Sequence, residues 1–505
     1  MELTVYRQAS KERPDGTVVY KGEDALPFVN DNVLFVADGL GGAAAIRHQN
    51  IDPGLFDPEK LPEILFGELC GGELPQDFAR YIRDSFFELY AVRDCYTENI
   101  NNIKKSGYFA SRIVAGILLH LFLYNEPPFE AAEWIRSLAG MPEDEREARL
   151  KQAGTAFAGE VTGGLKRIAE WGKLTYESAY AGLALLGTTV CMTLFRESDD
   201  EVQAVYLTAG DSRPYFWGEE EGLCQLLPDE EGADGGMTNY IRANEDAEVR
   251  IRCSYFSFGK PCILFNASDG CFDSKYFLSP MAFEKLLLET ACASASPAQM
   301  GEKLTETFKE YGRHDDSSTI AMKMFGFADF EEVKKSAARR LDALHRDYLD
   351  KLPELLERDY DQEPEGLDPE TDVLRSNLQK ALFENYDHAY RSLMLPEEIP
   401  GAEEPVGAEE AQEKVTTVPL PGLNLQSLKS PGKGIPGSEE WLKEHAAELE
   451  RELRASKEHP DWDLPPDLTH PVIPEQPRDM DIPPSEWRKL HERFNRPWRP
   501  GGRKG

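Results

Sequence analysis

Positive charge is scarce in this sequence. Its 505 residues hold 56 Lys and Arg against 91 Asp and Glu, a formal net charge of −35. Nucleic acids and anionic membranes are bound by Lys and Arg that neutralise phosphates, so this balance argues against both as partners. Cysteine is also sparse. The eight residues, none in a CxxC pair, read as small buried hydrophobes in a reducing compartment, not as a disulfide framework or a zinc site. The first residues, MELTVYRQASKER, lack the apolar core of a signal peptide. The longest apolar stretch, residues 113–124, is short for a bilayer and is interrupted by His120, so it predicts a buried helix. A cytoplasmic protein is the expectation. No Walker loop, no GxSxG elbow and no Cys-x5-Arg cradle is found, which speaks against kinase-like, α/β-hydrolase and cysteine-phosphatase chemistry.

What is present is enough for a sizeable core, since 41% of residues are hydrophobic and 10% aromatic. Strand-like runs rich in Val, Ile, Phe and Thr cover residues 17–20, 32–37, 188–195, 202–209, 261–267 and 319–325. Between about 57 and 185 the apolar spacing is helical, clearest over 78–89, 107–123 and 129–138. Strands flanking a block of helices predict an α+β domain over residues 1–327. From Val333 to Leu355 apolar residues recur at three- and four-residue steps behind a candidate N-cap, Asp329. A second helical stretch, Val373–Tyr386, completes a hairpin over 328–395. Residues 396–437 carry seven Pro and six Gly and read as a flexible linker. Residues 438–505 add a short helix and a Pro-rich basic tail, a helical and Pro-rich extension suited to a protein partner.

The chemistry gathers at strand ends. The run Asn32–Ala37 ends in Asp38-Gly39-Leu40-Gly41-Gly42, and Val205–Gly210 ends in Asp211-Ser212-Arg213. The run Ile263–Ser268 leads into Asp269-Gly270-Cys271-Phe272-Asp273, and Asp315-Asp316-Ser317-Ser318 precedes the last strand. Strands deliver their terminal side chains to one rim of a sheet with little slack. Carboxylates converging there repel one another unless a cation sits between them. Oxygen-only ligation suits Mg²⁺ or Mn²⁺.

In order, Asp38-Gly39-Leu40-Gly41-Gly42, Gly187-Thr188-Thr189, Ala209-Gly210-Asp211-Ser212-Arg213, Ser268-Asp269-Gly270 and Asp315-Asp316 resemble the metal-dependent serine/threonine protein phosphatases of type 2C. Glu23-Asp24 matches that family's early acidic pair. The resemblance spans residues 1–327 and implies two packed antiparallel β-sheets flanked by helices. It further implies hydrolysis of phosphoserine or phosphothreonine in phosphorylated protein substrates, by attack of a water bridging two Mn²⁺ or Mg²⁺ ions. Asp38 would bridge the ions, with the Gly39 carbonyl completing one shell. Asp269 and a late Asp would hold the second ion. Asp315 is favoured for that role because it puts Ser318 at the family's hydroxyl position; Asp316 lies one register away. Asp38 and Asp269 thus carry the catalysis, Asp211 and Asp273 match ligands of a third, weaker metal, and Glu23 or Asp24 would orient metal-bound waters.

Two positions depart from the pattern. Leu40 stands where many members place a proton-donating His, and Val19 stands where they carry a phosphate-clamping Arg. The nearest cation is Lys21, a weaker phosphate contact because it lacks the bidentate fork. His314 and Arg213 read as a surface loop residue and a brace of the local turn, and Cys271 as a packed thiol. The departures and the long extension define a rival reading, a regulatory pseudophosphatase that binds a partner through its C-terminal part.

Overall fold

The computed structural model describes residues 1–8, 10–12, 18–20, 22–40, 59–71, 73–86, 106–124, 129–171, 186–230, 239–243, 249–272, 280–311, 317–351 and 381–394. All of them fall within one compact unit, Met1–Asn424. The linker, the basic tail, Lys21, Asp273, His314, Asp315 and Asp316 lie outside the described residues.

Two five-stranded antiparallel sheets form the centre. The first has the order β1 (Glu2–Arg7), β12 (Ser318–Phe325), β11 (Cys262–Ala267), β8 (Arg213–Gly218), β9 (Gly222–Gln225). The second runs β10 (Arg252–Gly259), β7 (Glu201–Ala209), β6 (Val190–Glu197), β5 (Val33–Val36), β4 (Phe28–Val29). A short ribbon, β2 (Ser10–Glu12) with β3 (Val18–Tyr20), stands apart in pairing.

Alternation along each strand divides the apolar side chains between two layers. From β5, Leu34 and Val36 enter the dry layer between the sheets with Cys191, Phe195, Phe216, Leu264 and Phe325. Val33 and Phe35 face the other way, into a core shared with helices α1 (Leu61–Phe66), α2 (Gln76–Ser85), α3 (Ser106–Leu119), α4 (Ala131–Ala139) and α5 (Glu143–Trp171). The first sheet turns Leu3, Val5, Tyr215, Phe265 and Met322 outward against α6 (Pro280–Cys292), α7 (Pro297–Tyr311) and α8 (Phe330–Asp347). The fold is therefore α+β: two packed antiparallel sheets with helices on both outer faces.

Helix α3 continues through a wider π-type turn, His120–Tyr124. Residues Gly107–Tyr124 are long and apolar enough to cross a bilayer by length and composition, more so than the shorter run read from the sequence. They lie buried against Phe66, Phe78, Phe129 and Phe157 inside the fold. Asp329 caps α8, its carboxylate accepting from the Glu332 amide at 3.0 Å. A further helix, α9 (381–390), brings Tyr386 and Tyr390 into the same core as α8. Residues 352–380 of the expected hairpin, among them Leu355, Val373, Leu374 and Leu378, lie outside the described residues; the described parts, 330–347 and 381–390, contribute buried residues to the first sheet's outer face.

Candidate metal centre

The turn after β5 is held from beneath by the Gly187-Thr188-Thr189 segment. The Thr189 amide and the Thr188 hydroxyl both donate to the Asp38 carbonyl, at 2.8 and 2.6 Å, and the Leu40 amide donates to the Gly187 carbonyl at 2.9 Å. The Asp38 amide donates to Thr189 Oγ1 at 3.0 Å, and that hydroxyl meets Ser212 Oγ at 2.7 Å. Two of the sequence motifs, 38–42 and 209–213, are thereby joined through the third.

Gly39 is needed here for space. A Cβ on it would stand 2.3 Å from the Gly107 carbonyl oxygen and 2.7 Å from Glu23 Cβ, because the first turn of α3 packs directly on this loop. Glu23 lies in the same crevice, its carboxylate over Gly107. Behind it, the fully buried Arg112 donates to the carbonyls of Ser85, Tyr108 and Glu23 and lies over the Tyr108 ring.

Asp24 is 1% exposed. One of its oxygens, Oδ2, accepts from Ser268 Oγ at 2.8 Å and Thr319 Oγ1 at 2.6 Å. The Asp38 carboxylate is close enough to those of Asp24 and Asp269 to feel both charges. Asp38 thus lies between two other carboxyls. Burial, and then the charges of Asp24 and Asp269, push its pKa well above the usual carboxylate range. Burial also raises Asp24, against the pull of its hydrogen bonds and of the Arg112 charge.

Asp269 opens a short 3-10 turn, Asp269–Cys271, at the end of β11, and accepts from the Gly270 amide at 2.6 Å. Cys271 is buried, and its thiol faces the Thr319 carbonyl at 3.5 Å. Burial raises its pKa well above the usual thiol value. Arg213 braces its turn from outside, with Nε 2.8 Å from Asp229 Oδ1 and the guanidinium 3.9 Å over the Phe272 ring.

Asp24, Asp38 and Asp269 are therefore brought together, with Gly39 and Glu23 beside them and Asp211 one residue from the Ser212–Thr189 contact. Among the described residues no three His, Cys, Asp or Glu side chains are arranged around an ion position. Their chemistry fits a hard divalent cation. All donors are oxygen, the groups acting most strongly on Asp38 besides burial are acids, and a bound cation would offset their mutual repulsion. Two members of the constellation escaped sequence reading: Thr319, whose hydroxyl and not that of Ser318 reaches Asp24, and Arg112. Ser318 Oγ instead donates to the Gly270 carbonyl at 2.8 Å. A polar pair flanking the start of an apolar strand was the available signal for Thr319.

Among the solved structures this chain resembles are serine/threonine phosphatases. One is PstP/Ppp of Mycobacterium tuberculosis, at 15% identity over 64% of this chain and 99% of that one, TM-score 0.34. Another is Stp1 from Staphylococcus aureus, at 14% identity over 65% of this chain and 96% of that one, TM-score 0.35. A third is a PstP catalytic domain in complex with 2 manganese ions, at 18% identity over 64% of this chain and 98% of that one, TM-score 0.30. No protein-family model and no curated protein matches the chain.

Proposed function

We propose that this protein hydrolyses phosphoserine or phosphothreonine in protein substrates at a centre of two Mn²⁺ or Mg²⁺ ions. The observation that carries the reading is the buried Asp38 held between Asp24 and Asp269, an arrangement of like charges that a divalent cation relieves. The ordered motifs through residue 316 support it.

Asp38 and Asp269 would hold the ions, with the Gly39 carbonyl alongside and Asp211 toward a third position. Bound there, the ions would supply Lewis-acid stabilisation of the phosphoryl oxygens and a nucleophilic water at neutral pH. Asp24 is tied by Ser268 and Thr319, so its part is to fix the orientation of Asp38. Glu23, against Gly39, would orient water at the rim. Because Thr319 supplies the hydroxyl facing this cluster, the late ligand three residues upstream would be Asp316 rather than Asp315. Leu40 offers no proton to the leaving alkoxide, so proton delivery falls to solvent. Arg112, the cation acting on Asp24, spends its guanidinium on backbone carbonyls and the Tyr6 hydroxyl and is fully buried, so it is closed to substrate.

The test is manganese-dependent hydrolysis of a phosphothreonine peptide and of para-nitrophenyl phosphate, with Asp38→Asn and Asp269→Asn beside wild type. Metal-dependent activity lost in both variants supports the proposal. Activity on the aryl ester alone assigns a cost to Leu40, because that leaving group needs no proton. Absence of activity on both, with metal bound, favours the regulatory binding module.

A further inference from the structure

The helix at 381–390 lies outside the ordered motifs, yet its buried tyrosines are hydrogen-bonded into the fold. The Tyr390 hydroxyl, in a residue 2% exposed, donates to Gln225 Oε1 at 2.9 Å and shares a 3.1 Å hydrogen bond with the Tyr215 hydroxyl. Gln225 passes the contact on. Its Nε2 donates to the Leu227 carbonyl at 2.7 Å and to Asp229 Oδ1 at 3.0 Å. Asp229 grips Arg213 through two oxygens, and Arg213 lies over Phe272, the residue that ends the Asp269 turn. Next to Asp229, Glu230 Oε2 accepts from the Gly210 amide at 3.2 Å and from Asn239 Nδ2 at 2.6 Å. Residues 229 and 230 therefore clasp both ends of the Gly210–Arg213 turn that presents Asp211. The clasp is in turn anchored by one phenol from α9.

Tyr386, one turn away, belongs to a different circuit. Its hydroxyl donates to Glu284 Oε2 at 2.7 Å, and Glu284 is also held by Arg340 at 2.9 Å and by the Leu223 amide at 3.1 Å. Both hydroxyls dock the same helix, but only that of Tyr390 leads to the acidic rim.

We infer that Tyr390 is a positioning residue for the metal centre, fixing the Asp211 turn and the Asp269 turn through Gln225, Asp229 and Arg213. Docking of residues 381–394 then sets the geometry of the acidic rim. The inference rests on the proposed reading of Asp211 and Asp269 as metal-proximal, so its test has one arm that needs no metal.

That arm is hydrogen–deuterium exchange on the full-length, metal-free protein, comparing wild type, Tyr390→Phe, Gln225→Met and Tyr386→Phe. Tyr390→Phe and Gln225→Met are expected to speed exchange in peptides covering 210–213 and 269–272 by about ten-fold, while Tyr386→Phe leaves those peptides at the wild-type rate. Mn²⁺ titration is the second arm. Loss of an outer hydrogen-bond partner weakens metal binding by roughly 10–100-fold, and the lower end is expected for Tyr390→Phe alone. Unchanged exchange at 210–213 in both Tyr390→Phe and Gln225→Met overturns the inference, as does an equal effect of Tyr386→Phe, which would mark simple loosening of the helix. Faster exchange with no Mn²⁺ binding by wild type would keep the coupling and overturn the metal reading instead.

Discussion

Asn266 is the sharpest test of how the site is held at the rim of the sandwich. It sits in β11, three residues before Asp269, and is fully buried between the sheets. Thr193 Oγ1 donates to its Oδ1 at 2.8 Å, while its Nδ2 donates to the Leu34 carbonyl at 3.2 Å and the Cys191 carbonyl at 3.1 Å. One side chain thus ties β11 of the first sheet to β5 and β6 of the second, in a layer otherwise lined by Leu, Val and Phe. Replacement by leucine keeps the branching and the number of heavy atoms, though not the volume, and removes all three bonds. At a net value of about 1 kcal/mol each, Asn266→Leu should cost about 3 kcal/mol. Urea unfolding followed by the fluorescence of the buried Trp134 and Trp217 reads this as a lower midpoint at unchanged slope. Thr193→Val supplies the cycle. Because it removes a partner that Asn266→Leu would leave buried and unsatisfied, the double variant should cost less than the sum by about 0.5–1.5 kcal/mol. A loss below about 1 kcal/mol, or strict additivity of the two changes, would refute the argument that this residue bridges the sheets.

Further expectations concern the same rim. A Cβ at Gly270 would stand 1.7 Å from the Ser317 carbonyl oxygen, so Gly270→Ala should cost about 1–3 kcal/mol and weaken Mn²⁺ binding by displacing Asp269; calorimetry and melting curves check both. Asp24 and Asp38 bind protons more tightly folded than unfolded. Their contribution in the metal-free protein is therefore full below the unfolded value of about 3.9 and is lost as pH rises through their raised folded values. Asp38→Asn should accordingly stabilise the metal-free protein more at pH 8 than at pH 5, as read by denaturant midpoints. Cys271, buried and raised in pKa, should resist iodoacetamide in the native protein and react only on unfolding, as mass spectrometry would show. Asp329→Ala should lower stability by about 1 kcal/mol through loss of the α8 cap, again by urea midpoint.

The rim was legible because an apolar strand that stops at Asp38 or Asp269 announces both the strand and what it delivers. Residues 32–37, 202–209 and 261–267 align with β5, β7 and β11 for that reason. Residues 17–20, 188–195 and 319–325 were also read, as β3, β6 and β12, but other strands without such an ending were not. β8 begins directly after the Asp211 turn with Arg213-Pro214, and β10, RCSYFSFG, mixes polar and aromatic residues on both faces. The 29-residue α5 was read only as part of the helical block 57–185 and not singled out, because Gly and Ala blur its apolar stripe. Partnerships were harder still. That Thr319 serves Asp24, or that Asn266 bridges the sheets, depends on pairing between strands distant in sequence, which no local pattern encodes. The link from Tyr390 to Gln225 spans 165 residues and is of the same kind.

The most direct measurement of the central claim is a Mn²⁺ titration by isothermal calorimetry on the metal-stripped full-length protein, with Asp38→Asn as its partner. Two ions per chain in the wild type, reduced by at least one in Asp38→Asn with the fold intact by circular dichroism, is the predicted result. Saturating Mn²⁺ without any binding isotherm, or binding that Asp38→Asn leaves untouched, would contradict a metal centre built on Asp38.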